Sequence, residues 1–329
     1  MIGHEEALST AENFRRFARI EASGRSPLYS ALAEGVASDP EMLTHLATLP
    51  AEKRQPNLLL GAVRFLYGTA GDYGEFRSTA LEHWDELAAT IGLRRTQTNE
   101  VGRCATLLPL LAELPEPLAL FEIGASAGLC LLLDRYRYDY GRGPFGPTAS
   151  PVTLRCRFRG PKAPPRVLPE IAWRAGIDLH PVDVDDREET RWLECLVWPD
   201  EGDRASRLVA ALDLARADPP QVEKRDLRDG FADLLADVPR HATLVIFHSA
   251  VLAYVPAPER RPFIESMMSS EATWLANEAP RVVPGVAALV DEREIDRRPA
   301  SFLIARNARP VAWADDHGAW FQWREQPAD

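Results

Sequence analysis

Leu118-Ala119-Leu120-Phe121-Glu122-Ile123-Gly124-Ala125-Ser126-Ala127-Gly128-Leu129 is the stretch that decides how this chain folds. Its first six residues are apolar except Glu122, and small residues follow. This order predicts a buried strand over 118–123 that ends in an acid, a tight turn, and a helix over 127–136. In open α/β sheets, ligands sit beyond the carboxyl ends of the strands. Glu122, Gly124, Ala125, Ser126 and Gly128 are therefore candidates to line a site for a nucleotide-like ligand, with Glu122 facing an ammonium group. A following helix would add free N–H donors. The same turn spells Gly-x-Ser-x-Gly, which in hydrolases carries a nucleophilic serine. The plainer alternative is a turn that needs glycine for shape, with Glu122 in a salt bridge.

Upstream, the chain reads as helical. Ser9 or Thr10 is placed to cap a helix bearing Phe14, Phe17, Ala18 and Ile20. Ser26-Pro27 and Asp39-Pro40 open two more, and Pro56 precedes a helix apolar almost all round. One long amphipathic helix is expected over 75–91, and Asn99 is expected to cap another running toward Leu114. Pro115-Glu116-Pro117 then breaks the chain. Residues 1–115 are expected to form a helical cap or subdomain, and 116–329 the sheet-bearing domain.

Downstream, short apolar runs alternate with helical ones. Strands are expected at 152–158, 171–179, 222–224, 243–247, 273–277 and 286–290, with helices near 188–197, 204–217 and 258–268. This alternation implies a mostly parallel sheet covered on both faces. The last segments, 301–306, 311–313 and 320–323, read as an antiparallel edge. The fold class expected is α/β, a Rossmann-like, mostly parallel sheet with an antiparallel C-terminal edge, preceded by an all-helical N-terminal subdomain.

Other candidate site residues follow the strands. Asp178 is placed to accept hydrogen bonds from ribose hydroxyls, with Asp183 and Asp185 as rivals. Asp226 is placed either to bind an adenine amino group or to cap a helix. His248 and Ser249 fall at a strand's carboxyl end, where His248 is a candidate base and Tyr254 a weaker one; a lone histidine in an apolar run is equally a core residue. Gln97, Asn99, Glu100 and Arg103 form a polar segment that either roofs a ligand or starts a solvated helix.

Glu122 to Gly128, the acid in Gly176-Ile177-Asp178-Leu179-His180-Pro181, and Asp226 together resemble the cofactor-binding segments of class I S-adenosylmethionine-dependent methyltransferases. One departure is Ser126, which stands where that family's first motif normally has a third glycine. Over nearly its full length the chain also resembles an uncharacterised bacterial family, domain of unknown function 2332. That likeness is carried by Ser26-Pro27-Leu28-Tyr29, Arg54-Gln55-Pro56-Asn57-Leu58-Leu59, Thr96 through Arg103, Gly124 through Leu129, Asp134-Arg135-Tyr136, Val197-Trp198-Pro199 and Phe247-His248-Ser249. It implies a methyltransferase-like fold without assigning a reaction.

The expected function is methyl transfer from S-adenosylmethionine to a small-molecule acceptor. The alternatives are a serine hydrolase, with Ser126 as nucleophile, His317 as base and Asp291 as acid, and a non-catalytic adenosyl-binding protein. Composition narrows the field. A net charge of -11 over 329 residues disfavours nucleic acid and anionic membranes as partners. No apolar run is long enough to span a bilayer, and the N-terminus lacks a secretory pattern, so a cytoplasmic location is expected. The four cysteines fit no zinc spacing, and no metal is expected.

Overall fold

The computed structural model describes residues 4–298 and 300–325. Helices α1 (His4–Arg16), α2 (Pro27–Ala37), α3 (Pro40–Leu46), α4 (Pro56–Tyr67), α5 (Tyr73–Glu82) and α6 (Trp84–Leu93) come first. After them, α7 (Cys104–Leu111) leads into the strands. The later helices are α8 (Arg187–Leu196), α9 (Gly202–Ala217), α10 (Ala257–Ser269) and α11 (Glu292–Asp296). The strands are β1 (Leu118–Ile123), β2 (Arg137–Asp139), β3 (Thr153–Arg155), β4 (Arg157–Arg159), β5 (Ile171–Asp178), β6 (Val222–Lys224), β7 (Thr243–Ser249), β8 (Thr273–Glu278), β9 (Ser301–Arg306), β10 (Arg309–Asp315) and β11 (Trp320–Trp323).

Two compact units emerge. The first holds residues 1–98 and 186–206; the second holds 99–185 and 207–329. The division therefore falls at Thr98/Asn99 rather than at 115/116, and the first unit recovers a later segment of chain. Hydrophobic burial accounts for the return. Trp192, Cys195 and Trp198 are buried in the same core as Phe17, Leu58, Leu59 and Phe65. The Trp192 ring meets Phe65 edge-on at 5.6 Å, and the Trp198 ring meets Phe17 at 5.4 Å. Both indoles are also satisfied: Trp192 Nε1 donates to Arg95 O at 2.8 Å, and Trp198 Nε1 to Asn57 Oδ1 at 2.9 Å. Burying an aromatic ring of this size with its N–H paired stabilises by about 2–3 kcal/mol.

Within this unit Ser26 and Asp39 cap α2 and α3 as expected, accepting from Tyr29 N and from Glu41 N and Met42 N. Two expectations fail. Ser9 and Thr10 lie inside α1, which already runs from His4. The long helix over 75–91 is two helices, α5 and α6, broken at His83 (φ -116°, ψ 28°). The His83 ring stacks on Tyr67 at 4.6 Å, while Phe76, Ala80, Trp84, Leu87 and Ile91 stay buried. The apolar period is unbroken across the kink, so periodicity gives no warning of it.

The second unit is built on a nine-stranded sheet of order β4-β11-β10-β9-β8-β7-β1-β5-β6, with β2 and β3 as a separate pair. The strands from β8 through β6 are parallel, and β9, β10 and β11 continue antiparallel from β8. All six β1 residues are buried, as a central parallel strand requires. Successive strands step outward from β1 through β5 to β6, then from β7 to β8 on its other side. The order thus reverses at β1 and β7, where such sheets open a crevice. At the far edge, Asn307 and Ala308 both adopt positive φ (49° and 59°) and form the two-residue turn of a tight hairpin.

The other corrections concern local geometry. The expected helix over 127–136 is a 3₁₀ segment, Leu129–Arg135, kinked at Leu132. Residues 286–290 form a 3₁₀ turn rather than a strand, and 152–158 divides into β3 and β4. Asn99 does not cap the helix ahead of β1. Glu100 caps the 3₁₀ turn Val101–Arg103 that leads into it, accepting from Gly102 N at 2.9 Å, and α7 itself has no side-chain cap.

A polar face at the carboxyl ends of the strands

Strand register sorts the candidate side chains onto two faces. Glu122 pairs with Gly176 and Phe247, and Ser249 pairs with Asn277. Side chains alternate along a strand, so Asp178, Glu122, Ser249 and Asn277 share one face at the ends of four adjacent strands. Ile123, His248 and Glu278 occupy the other.

Glu122 is 5% exposed, and its Oε2 has no hydrogen-bond partner. Burial pushes its carboxyl well above the ordinary value of 4.5. Cys130 and Asp178 add to the shift and Arg103 opposes it. A carboxyl so shifted contributes stability that is complete below its unfolded-state pKa and lost as pH rises through the raised folded value. Glu122→Gln is therefore expected to be more stable than the native chain near neutrality, with a flatter profile above pH 4.5. Urea unfolding across that range checks this; identical profiles for the two proteins would refute it.

The turn after β1 is held from three directions. Gly124 N and Ala125 N donate to Ile177 O at 2.8 and 3.1 Å. Ser126 N donates to Asp178 Oδ2 at 2.8 Å, and Asp178 Oδ1 accepts from His180 N at 2.7 Å. Asn99 spans the turn, its Nδ2 donating to Ser126 Oγ (2.9 Å) and its Oδ1 accepting from Ala127 N (3.1 Å). These bonds hold Ser126 at φ 52°, a backbone region costly for a non-glycine residue. The neighbouring glycines serve close packing. A Cβ on Gly124 would lie 2.4 Å from Val251 Cγ2, and one on Gly128 2.4 Å from Pro220 Cγ. A kinked 3₁₀ segment, not an α-helix, follows the turn.

The remaining candidates separate. Asp226 caps the 3₁₀ turn Leu227–Asp229 through Arg228 N and pairs with the Arg228 guanidinium, which lowers its pKa. Asp183 Oδ1 accepts from Asp185 N within its own loop. Ser249 Oγ accepts from Asn277 Nδ2 at 2.9 Å, and Ser249 O from Arg103 Nη1 at 3.2 Å. Gln97 belongs to the first unit, whereas Asn99, Glu100 and Arg103 belong to the second. Glu100 also pairs with Arg207 at 3.6 Å.

His248 is corrected as a substrate-facing base. Alternation along β7 puts it on the face opposite Glu122, at 0% exposure between Phe263 and Trp274. Its Nδ1 lies 2.7 Å from Glu278 Oε1, an oxygen that also accepts from Val251 N (2.8 Å) and Leu252 N (3.0 Å). Tyr254 is 68% exposed on a 3₁₀ turn. Glu278 and Asn277 were not singled out in the sequence. Their signal is a polar pair ending the apolar run Trp274-Leu275-Ala276 at a strand's carboxyl end.

Among the described residues, Ser126 makes no hydrogen bond to His317. Positive φ at Ser126 suits a nucleophile turn, but its Oγ is an acceptor for the Asn99 amide. Asp291 caps α11 through Arg293 N, and the acid beside His317 Nδ1 is Asp316, at 2.8 Å. Asp315, Asp316 and His317 cluster at the β10–β11 turn, where Asp315 Oδ1 accepts from His317 N and Ala319 N.

The sequence model of a bacterial family, described as "Uncharacterized protein conserved in bacteria (DUF2332)", matches residues 11–323. The chain belongs to this family. No curated protein matches it. The family match spans both compact units, so its sequence pattern includes the helical segments as well as the strand-end residues. Among the described residues, no helix is long and apolar enough to cross a membrane.

Proposed function

We propose that this chain binds S-adenosylmethionine at the polar strand-end face and acts as a methyltransferase on a small-molecule acceptor in the cytoplasm. The observation that carries this is Glu122. It is the penultimate residue of the central strand, where strand order reverses; the Cys130 thiol bonds its carboxyl, but the buried Oε2 has no hydrogen-bond partner. A buried polar atom without a partner is costly, and a ligand donor removes that cost. The parallel strands β6-β5-β1-β7-β8 support a Rossmann-like, methyltransferase-type sheet, and the antiparallel continuation through β9 agrees with an antiparallel edge.

The residues present fit the cosubstrate. Glu122 Oε2 is suited to its ammonium group. Each Asp178 oxygen already accepts one backbone N–H, which leaves further lone pairs for ribose hydroxyls. When bound, the sulfonium supplies the methyl group. Asn99 and Asp178 contribute by fixing the turn, so that no reorganisation is needed on binding. Glu122 gives up its proton to accept the ammonium, so affinity rises with pH. Rate acceleration then comes from orienting the acceptor rather than from a dedicated base.

Calorimetry with S-adenosylhomocysteine tests the proposal. Micromolar binding is expected, weakened about 30-fold or more in Glu122→Ala. Failure of the folded native chain to bind at millimolar ligand would end the proposal. Binding without turnover across an acceptor screen would reduce it to a non-catalytic adenosyl-binding protein.

A further inference from the structure

Arg103 is a buried cation without a counter-ion. It is 5% exposed, and its guanidinium lies over the Phe302 ring at 5.4 Å. Nε donates to Asp316 O at 2.9 Å and Nη1 to Ser249 O at 3.2 Å. Both acceptors are neutral carbonyls. Among the described residues no carboxylate pairs with Arg103, and Nη2 makes no hydrogen bond. The nearby acids are otherwise engaged: Glu100 is joined to Gly102 N and Arg207, the Asp316 carboxylate lies 2.8 Å from His317 Nδ1, and Glu122, which Arg103 favours in its ionised form, is driven the other way by burial. Buried charges in folded proteins are normally paired, because an unpaired one loses its hydration without recompense.

A second observation converges on the same place. Asn277 is fully buried and bonds Ser249 Oγ, on the residue whose carbonyl holds Arg103. The other Asn277 amide atom, Oδ1, has no partner. A half-turn of the amide would let Oδ1 accept from the Ser249 hydroxyl and free Nδ2 as a donor. Arg103, Ser249 and Asn277 then offer a guanidinium nitrogen and an amide donor with nothing in the protein to receive them.

We propose that Arg103 Nη2 anchors an anionic group, a carboxylate or phosphate, of the small ligand that occupies the strand-end face. This rests on the proposed small-molecule site but not on the identity of its occupant. The anion has two possible sources, the amino-acid end of an adenosyl cosubstrate or the methyl acceptor.

Four measurements test the assignment. S-adenosylhomocysteine is compared by calorimetry with 5′-methylthioadenosine, which lacks the carboxylate. Inorganic phosphate and acetate are titrated separately. Each is repeated on Arg103→Gln and Arg103→Lys. Crystals of the native protein soaked in selenate locate a bound anion without any variant.

If Arg103 holds the cosubstrate, the native chain prefers S-adenosylhomocysteine by about 10- to 100-fold, and Arg103→Gln loses about 10-fold of that preference, the rest belonging to the ammonium at Glu122. If it holds the acceptor, the two nucleosides bind alike, and phosphate or acetate binds the native chain about 10-fold more tightly than Arg103→Gln, with Arg103→Lys intermediate. Either result supports the assignment. Selenate beside Nη2 supports it even if neither variant folds. Anion binding by a native chain that binds neither nucleoside would sink the methyltransferase proposal and leave this one standing. It is overturned if selenate appears only elsewhere, or if Arg103→Gln weakens neither the nucleoside preference nor anion binding.

Discussion

Gly318→Ala is expected to destabilise the second unit by about 4 kcal/mol and lower its melting temperature by about 10 °C. Gly318 lies in the β10–β11 turn at φ +85°, with its N–H donating to Asp315 O. A Cβ there would lie 2.0 Å from Gly102 O and 2.2 Å from Gly102 C. Both obstacles are backbone, so no rotamer change relieves the overlap. The reciprocal approach is as tight, since a Cβ on Gly102 would fall 2.2 Å from His317 O. Gly285→Ala supplies the control. Gly285 also has positive φ (+82°), but nothing lies within 4 Å of its added Cβ. It should lose only about 1 kcal/mol, the conformational cost alone. The gap between the two variants in thermal unfolding isolates the backbone clash. Equal losses would mean that the two segments do not cross as described.

Glu278→Ala is expected to cost about 3–5 kcal/mol. One carboxylate oxygen receives the His248 ring and the backbone N–H groups of Val251 and Leu252, all within 3.0 Å. Removing it strands three donors in a fully enclosed place, where water cannot replace the acceptor. Val251 is also the side chain packed over Gly124, so the loss extends to the turn after β1. Glu278→Gln keeps one acceptor oxygen and should recover more than half of the deficit. Denaturant unfolding measures the stability, and amide exchange at Val251 and Leu252 reports the local effect. If Ala and Gln cost the same and both amides stay protected, Glu278 is not what holds this loop.

The strands were the most legible part of the chain. Leu118 to Ile123 has no polar residue except the acid at its end, and it lies at the centre of the sheet because it can be buried on both faces. Sequence order also located Asp178, Glu122 and Ser249 at strand ends. Which face each side chain takes depends on register, and register is set by neighbouring strands. For that reason His248 and Ser249, adjacent in sequence, have different surroundings. The cap reading of Asn99 fails for a related cause. A cap and a long-range brace use the same amide, and only the proximity of Ser126 distinguishes them. The 3₁₀ segment after Gly128 has the apolar content of a helix, and composition does not reveal its kink at Leu132. Arg103 lies in a polar segment legible in the sequence, but the lack of a carboxylate within ion-pair distance of it is a property of the folded arrangement alone.

The helical unit is not contiguous along the chain. Its core takes Trp192, Cys195 and Trp198 from a stretch that follows β5, after the chain has already entered the second unit. No single cut can therefore liberate either half intact. A polypeptide begun at Asn99 would carry two tryptophans whose burial partners had been discarded, and one ended at Thr98 would lack three residues of its own interior. Expressing the helical unit with its own interior therefore requires residues 186–206 to be joined to residues 1–98.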